Sequence, residues 1–224
     1  MTDKISEERK ERVFRSMKKL TAYREIQNLM GRCAAACNFK QVQKIYAYLS
    51  ERVDISCEIA DEGLFQGREG VKAILNMVFG GEAEPGDMLD IQLTSPMIEV
   101  AGDLQTARGV WWIAGAASVP MGSKDPQALW VWGAVAVDFI WEEKEWKLWH
   151  VHYFRWIKCD YHKGWADDTS LVNRPNTAMH PLSKPSTYHN PYTPLSIRDG
   201  IPPCPRPYDT WTDDNWMLCR DKTK

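Results

Sequence analysis

The chain has 224 residues, 44% of them hydrophobic and 26% charged, which suits one domain plus an extension with a sizeable buried core. A formal charge of -2 argues against a dedicated nucleic-acid or anionic-membrane binder, which would carry a basic excess. No apolar run is long enough to span a bilayer, and the opening MTDKISEERKER lacks the apolar stretch of a secretory signal, so a cytoplasmic location is expected.

The first 25 residues are rich in Lys and Arg, but interleaved Glu and Asp make them read as a solvated helix face. From Val13, apolar residues recur in steps of three and four: Met17, Leu20, Tyr23, Ile26, Met30, Cys33, Cys37. That spacing predicts a helix with one apolar face, stopping near Asn38. A short second helix carries Val42, Ile45, Tyr46 and Leu49. VDISCEIAD and GLFQG read as short extended pieces. Arg68 to Phe79 predicts a third helix, ended by Gly80-Gly81.

Four β-branched and aromatic segments follow: MLDIQLTSPMIEV, TARGVWWIAGAASV, QALWVWGAVAVDFIW and WKLWHVHYFRWIK. The turns between them are Ala101-Gly102-Asp103, PMGSKDP, and Glu142 to Glu145. Helices first and strands afterwards indicate an α+β domain with an antiparallel, strongly curved sheet. Eight of the 11 tryptophans fall between Trp111 and Trp156, which gives an aromatic core, an aromatic-walled pocket or a subunit face. The organisation expected is a domain over 1–160 and an extended arm over 161–224. Nine of the 13 prolines lie beyond residue 174, yet Tyr188, Tyr192, Tyr208, Trp211 and Trp216 suggest that the arm packs on its own domain or on a neighbouring subunit. The six scattered cysteines, without a CxxC pair, are expected to be reduced.

Three segments in order resemble the SnoaL-like family of the nuclear transport factor 2-like superfamily: IQNLMGRCAA (26–35), FQGREGV (65–71) and TSPMIEVAGD (94–103). The likeness covers roughly residues 20 to 157. It implies a cone-shaped fold in which three helices and a curved sheet enclose an apolar pocket. Relatives include scytalone dehydratase, a bile-acid dehydratase and ketosteroid isomerase, and others bind ligands or partners without catalysis. The family enzymes move protons beside a carbonyl or eliminate water with neither metal nor cofactor. In its dehydratases the first helix supplies a Tyr and, five positions on, an Asp; the matching positions here hold Cys33 and Asn38. The family's third-strand Tyr or His is replaced by Ile91 or Gln92. Asn cannot hold a proton as Asp can.

His150 and His152 share one face of the last strand, with Trp146, Leu148 and Phe154 on that face by simple alternation. Three readings stay open for them: proton transfer in an aromatic pocket, hydrogen-bonded structural histidines on the outer sheet face, or a zinc site lacking an identifiable third ligand. Asp138 could orient an imidazole or simply be solvated. Arg108 and Trp112 share a face and could meet an anionic oxygen. Trp130 and Trp132, with Ala134 and Ala136 beside them, leave room for a ligand or pack the core. Cys33 and Cys37 line a pocket or pack as small apolar groups. Phe65 and Gln92 complete the expected ligand contacts.

Three functions follow. The first is a cofactor-independent lyase or isomerase acting on a cyclic or aromatic carbonyl compound, with His150 or His152 moving the proton and Asn38 stabilising charge on oxygen. The second is a non-catalytic small-molecule-binding or assembly protein, and the third a metal-assisted lyase or hydrolase. The expected partners are a small hydrophobic compound and further copies of the chain, met through the sheet face and the arm, with neither nucleic acid nor membrane.

Overall fold

The computed structural model describes residues 6–121, 124–178 and 180–219. The turn expected at Gly122-Ser123 lies outside them. Ser6 caps helix α1 (Glu7–Asn38): its hydroxyl accepts from the Arg9 backbone N–H at 3.3 Å, and Glu7 and Glu8 complement the helix dipole. The buried face of α1 runs through Ala22, Ile26, Leu29, Met30 and Ala36. Val13, Met17 and Leu20 are exposed, so the expectation of one apolar face is corrected. From Leu20 through Tyr23 to Ile26 the steps are all threes. Each falls ~60° short of a full turn, and the stripe swings round the helix.

Helix α2 (Val42–Tyr46) buries Val42 and Ile45, and α3 (Gly67–Phe79) buries Val71, Ile74 and Leu75. The strands are β1 (Ser56–Ile59), β2 (Gly63–Gln66), β3 (Met88–Val100), β4 (Thr106–Met121), β5 (Lys124–Glu142), β6 (Glu145–Asp160) and β7 (Ser183–Lys184). They form one sheet in the order β3-β4-β5-β6-β1-β2-β7. It is mixed, because β1 pairs parallel with β6, which corrects the expected wholly antiparallel sheet. The helix α3 and the β3–β5 meander between them supply the long crossover that a parallel pair needs.

The two sheet faces bury different things. The helices pack on one face over Trp111, Val135, Val137, Phe139 and Leu148. On the other, Val110, Ala136 and Phe154 are covered by Ile201, Trp216 and Met217 from the C-terminal segment. After a single helical turn, α4 (Gly164–Asp167), that segment has little regular structure apart from β7 and a 3-10 turn at Trp216–Leu218. It is tied to the sheet by polar contacts. Ser186 Oγ donates to Ala60 O at 2.7 Å, and Tyr192 N to Trp156 O at 2.8 Å. Gly102 N donates to Tyr208 O, also at 2.8 Å.

Strand β6 carries two extra residues against β5. Asp138 faces His150 while Phe139 faces Leu148, leaving Trp149 as a bulge; Trp156 is skipped in the same way. A bulge reverses side-chain alternation. Leu148 therefore faces the helices, and beyond Trp149 the helix-facing residues are Val151 and Tyr153. The expectation that Trp146, Leu148, His150, His152 and Phe154 share a face is corrected on this ground. Among the described residues no helix is long and apolar enough to cross a membrane.

Candidate functional site

Two cavities lie back to back across β1 and β6, and Ser56 and Val151 touch both. The helix-side cavity measures about 110 Å³. Met30, Cys33 and Cys37 from α1, Leu75 from α3, Ile113 from β4 and Val151 from β6 are among its walls. Three of its titratable wall groups are shifted toward their protonated forms. Burial pushes the Cys57 thiol up to about 12. Cys37 is raised by its contact with Cys33 and by burial. Burial also raises the Tyr153 phenol, with Arg155 opposing in part. Its walls carry no histidine, aspartate or glutamate side chain.

Beyond Tyr153 lies a buried ion network. Arg155 is bonded to Asp61, and Lys158 and Arg174 approach the same carboxylate at 3.8 and 3.6 Å. Burial alone would raise Asp61, but the three cations bring its carboxyl below the usual range. Tyr153 Oη is buried and makes no aligned hydrogen bond, and Arg155 lies over its ring at 5.0 Å. A buried hydroxyl without a partner is costly unless something else satisfies it.

The second cavity, about 350 Å³, lies between the opposite sheet face and the C-terminal segment. Asp138 is its hub. It accepts from Trp216 Nε1 at 2.8 Å and pairs with His150 Nδ1 at 3.0 Å, and Arg108 Nε lies 3.7 Å away. Arg108 also grips Asp214 at 2.8 Å and Thr212 O at 3.1 Å. The other nitrogen of His150 meets Asp54 O at 3.2 Å, so neither ring nitrogen is free to serve a substrate. His152 stacks on Phe154 at 3.7 Å, and burial lowers its pKa to about 3. Its Nε2 lies 3.3 Å from Glu58 Oε1. Burial raises Glu58, against hydrogen bonds donated by the Thr187 hydroxyl and backbone N–H.

Cys33 and Cys37 reach the helix-side cavity, as expected. Asn38 does not, because its amide is spent on β3: Nδ2 donates to Ile91 O at 3.1 Å and Oδ1 accepts from Ile91 N at 3.0 Å. Gln92 points out to solvent while Ile91 lines the wall. Phe65 is wholly buried, 5.7 Å from the His180 ring, in neither cavity. His150, His152, Asp138, Arg108, Trp112, Trp130 and Trp132 do share a face, but it is the one turned away from the helices. There Trp112 stacks on Trp156 at 5.2 Å, and Trp130 and Trp132 meet Tyr161 and Trp165. The placement of both histidines in the apolar cavity is thus corrected.

Sequence reasoning missed Glu58, Asp61 and the Trp211–Trp216 stretch. Glu58 and Asp61 lie in VDISCEIAD, which reads only as an extended piece, and nothing in the arm's composition marks which of its aromatics reaches Asp138. Among the described residues no three His, Cys, Asp or Glu side chains converge as metal ligands.

The SnoaL-like domain family matches residues 18–152. A scytalone dehydratase-like protein from Novosphingobium aromaticivorans is similar in structure, with a TM-score of 0.55, 15% identity, and 66% of this chain and 92% of that one covered. So is a type 3 hexachlorocyclohexane dehydrochlorinase LinA from Novosphingobium barchaimii: TM-score 0.53, 14% identity, coverage 65% and 93%. A dehydratase-like protein of the NTF2-like family from Streptomyces avermitilis gives TM-score 0.50 and 15% identity over 59% and 95%. At these identities the likeness establishes the fold. No curated protein matches the chain.

Proposed function

The chain belongs to the SnoaL-like domain family, and on that premise we propose that it binds a compact, largely apolar small molecule carrying one oxygen, and releases it unchanged. One observation carries this reading: an apolar cavity with Tyr153 in its wall, whose buried hydroxyl has only Arg155 beside it and no aligned hydrogen bond. An apolar cavity of ~150 Å³ can hold benzene, so about 110 Å³ suits a small ring or a branched fragment. A ring oxygen substituent would accept from Tyr153, with Arg155 behind it strengthening the donor. Elimination or isomerisation would require a base, and the cavity wall carries no histidine or carboxylate.

Ligand-observed NMR with cyclopentanone, and with cyclopentane as the oxygen-free control, tests the proposal because it sees binding and conversion together. Ketone binding should exceed hydrocarbon binding, and Tyr153→Phe should weaken ketone binding about fivefold, the worth of one hydrogen bond. Ala34→Phe, which fills the cavity, should abolish both. Binding indifferent to both substitutions would refute the reading, as would catalytic turnover of the ketone.

A lyase or isomerase reading is favoured only by the His150–Asp138 pair in the second cavity. Both nitrogens of that imidazole face acceptor oxygens, so Nε2 would have to leave Asp54 O before it could meet a substrate. Folded His150→Gln and His152→Gln variants that retain full turnover of a compound the wild type converts would remove it.

A further inference from the structure

Helix α1 carries a second apolar stripe that its own domain does not use. Val13 is 52% exposed, Phe14 60%, Met17 60% and Leu20 70%. At 3.6 residues per turn, Val13, Met17 and Leu20 lie within ~60° of arc. The buried stripe through Ala22, Ile26 and Leu29 lies roughly on the opposite side of the helix. The exposed stripe therefore points away from the sheet and the two other helices, and no movement of this helix end could bury both stripes on the same body.

Its charge surroundings are one-sided. The half-cylinder centred on Val13, Met17 and Leu20 bears Arg9, Lys10 and Arg24, all exposed, with Ser6, Ser16, Thr21, Gln27 and Asn28 as other polar residues, and Phe14 at its edge. Glu7, Glu8, Glu11 and Glu25 fall on the remaining circumference together with Arg12, Arg15, Lys18 and Lys19, and Glu7 and Glu25 border Phe14. Lys10 is paired with Glu7 at 2.6 Å, and Lys18 Nζ sits 4.6 Å from the centre of the Phe14 ring, adding a cation to the stripe's edge. The carboxylates, interleaved along the sequence, are thus gathered off the centre of the stripe, while cations lie on both sides.

We propose that this face of α1 docks flat on an anionic lipid surface, with the rest of the domain held on the far side of the helix. An apolar stripe flanked by cations matches the acyl boundary and headgroups of such a surface. Two copies of the same face would oppose Arg9 and Arg24 to each other, with carboxylates only at the Phe14 edge. Nucleic acid would leave the four apolar side chains unused. The surface is independent of both cavities, and the proposal stands or falls apart from the ligand.

Co-sedimentation of the full chain with vesicles tests it. Binding to phosphatidylcholine mixed equally with phosphatidylglycerol should exceed binding to phosphatidylcholine alone by at least about tenfold, and should weaken as salt is raised. Met17→Glu with Leu20→Glu should lose the binding while melting like the wild type, since both side chains are exposed. Arg9→Gln with Lys10→Gln and Arg24→Gln should lose the preference for phosphatidylglycerol. Equal sedimentation with both vesicle types overturns the proposal, and so does full retention of binding by the Met17→Glu, Leu20→Glu variant. Sedimentation velocity gives a further overturning result: a wild-type dimer that this variant abolishes, without vesicle binding, assigns the face to a second copy.

Discussion

Acidification should strain the buried His152 more than any other resolved group on the C-terminal face. Its pKa falls from an ordinary 6.5 to about 3 because burial penalises the imidazolium. The unfolded chain takes up a proton there below about pH 6.5, while the folded chain refuses it until far lower. Stability is therefore intact above that range and is lost as pH drops from about 6.5 toward 3. At pH 5 the loss is ~2 kcal/mol, from about 1.5 units of unmatched protonation. For a chain of this length that is roughly 4–8 °C in Tm. Glu58 works the other way: its raised carboxyl adds stability in acid that is lost as pH rises through the folded value. Comparing wild type with His152→Phe isolates the imidazole, since the aromatic stack on Phe154 is kept. Thermal unfolding followed by circular dichroism at pH 8 and pH 5 should show the wild type losing ~4–8 °C more than the variant. Equal losses in the two proteins would show that His152 is not held neutral by burial.

Two further perturbations probe the frame. Asp138→Asn leaves Arg108 without its buried counter-charge and His150 facing an amide, which should cost about 3–5 kcal/mol. Limited proteolysis should then cut the segment between Asp168 and Trp216 faster than in the wild type; an unchanged cleavage rate would show that the hub does not hold that segment. Gly133→Ala would place a Cβ 2.1 Å from Phe154 O and 2.8 Å from the Tyr153 ring, and should lower Tm by several degrees or more. Gly31, on the exposed side of α1, has nothing within 4 Å of a built Cβ, so Gly31→Ala should raise stability by up to about 1 kcal/mol, read from the same melting curves.

The architecture was legible because it rests on periodicity. The helix over 67–79 and the four long strands appear where apolar spacing and turn residues put them, and the SnoaL-like segments fall within the matched residues 18–152. The parallel β1–β6 pair was not legible, since four-residue strands carry no signal of partner direction. The face of the histidines was lost to one residue. Alternation placed Leu148 and His150 together, and the bulge at Trp149 separates them, with nothing in WKLWHVHYF announcing it. Arg108 and Trp112 on β4, and Trp130, Trp132 and Asp138 on β5, each share a face as their alternation puts them, because no bulge interrupts β4–β5 between them; that the two sets lie on one sheet face was not read from the sequence.

Why that bulge persists bears on what the molecule can do. Elimination chemistry of the kind named for its structural relatives needs an apolar pocket and a base in one compartment. Here the apolar cavity and the imidazoles stand on opposite sides of β1 and β6, separated by one layer of backbone. Without the bulge, register would carry His150 and His152 to the helix side. Trp149 is held in place on both counts that matter: its Nε1 donates to Asp54 at 2.9 Å, and its ring packs on Trp211 at 4.4 Å and on His150 at 4.3 Å, with Arg52 at 4.6 Å. Asp54 in turn is kept ionised, its carboxyl lowered to about 2 chiefly by Arg52. The extra residue is thus fastened by contacts from β6, the 50–55 loop and the C-terminal segment together. The separation of the dry cavity from the imidazoles is consequently built into the packing of three parts of the chain, and does not hang on a single rotamer.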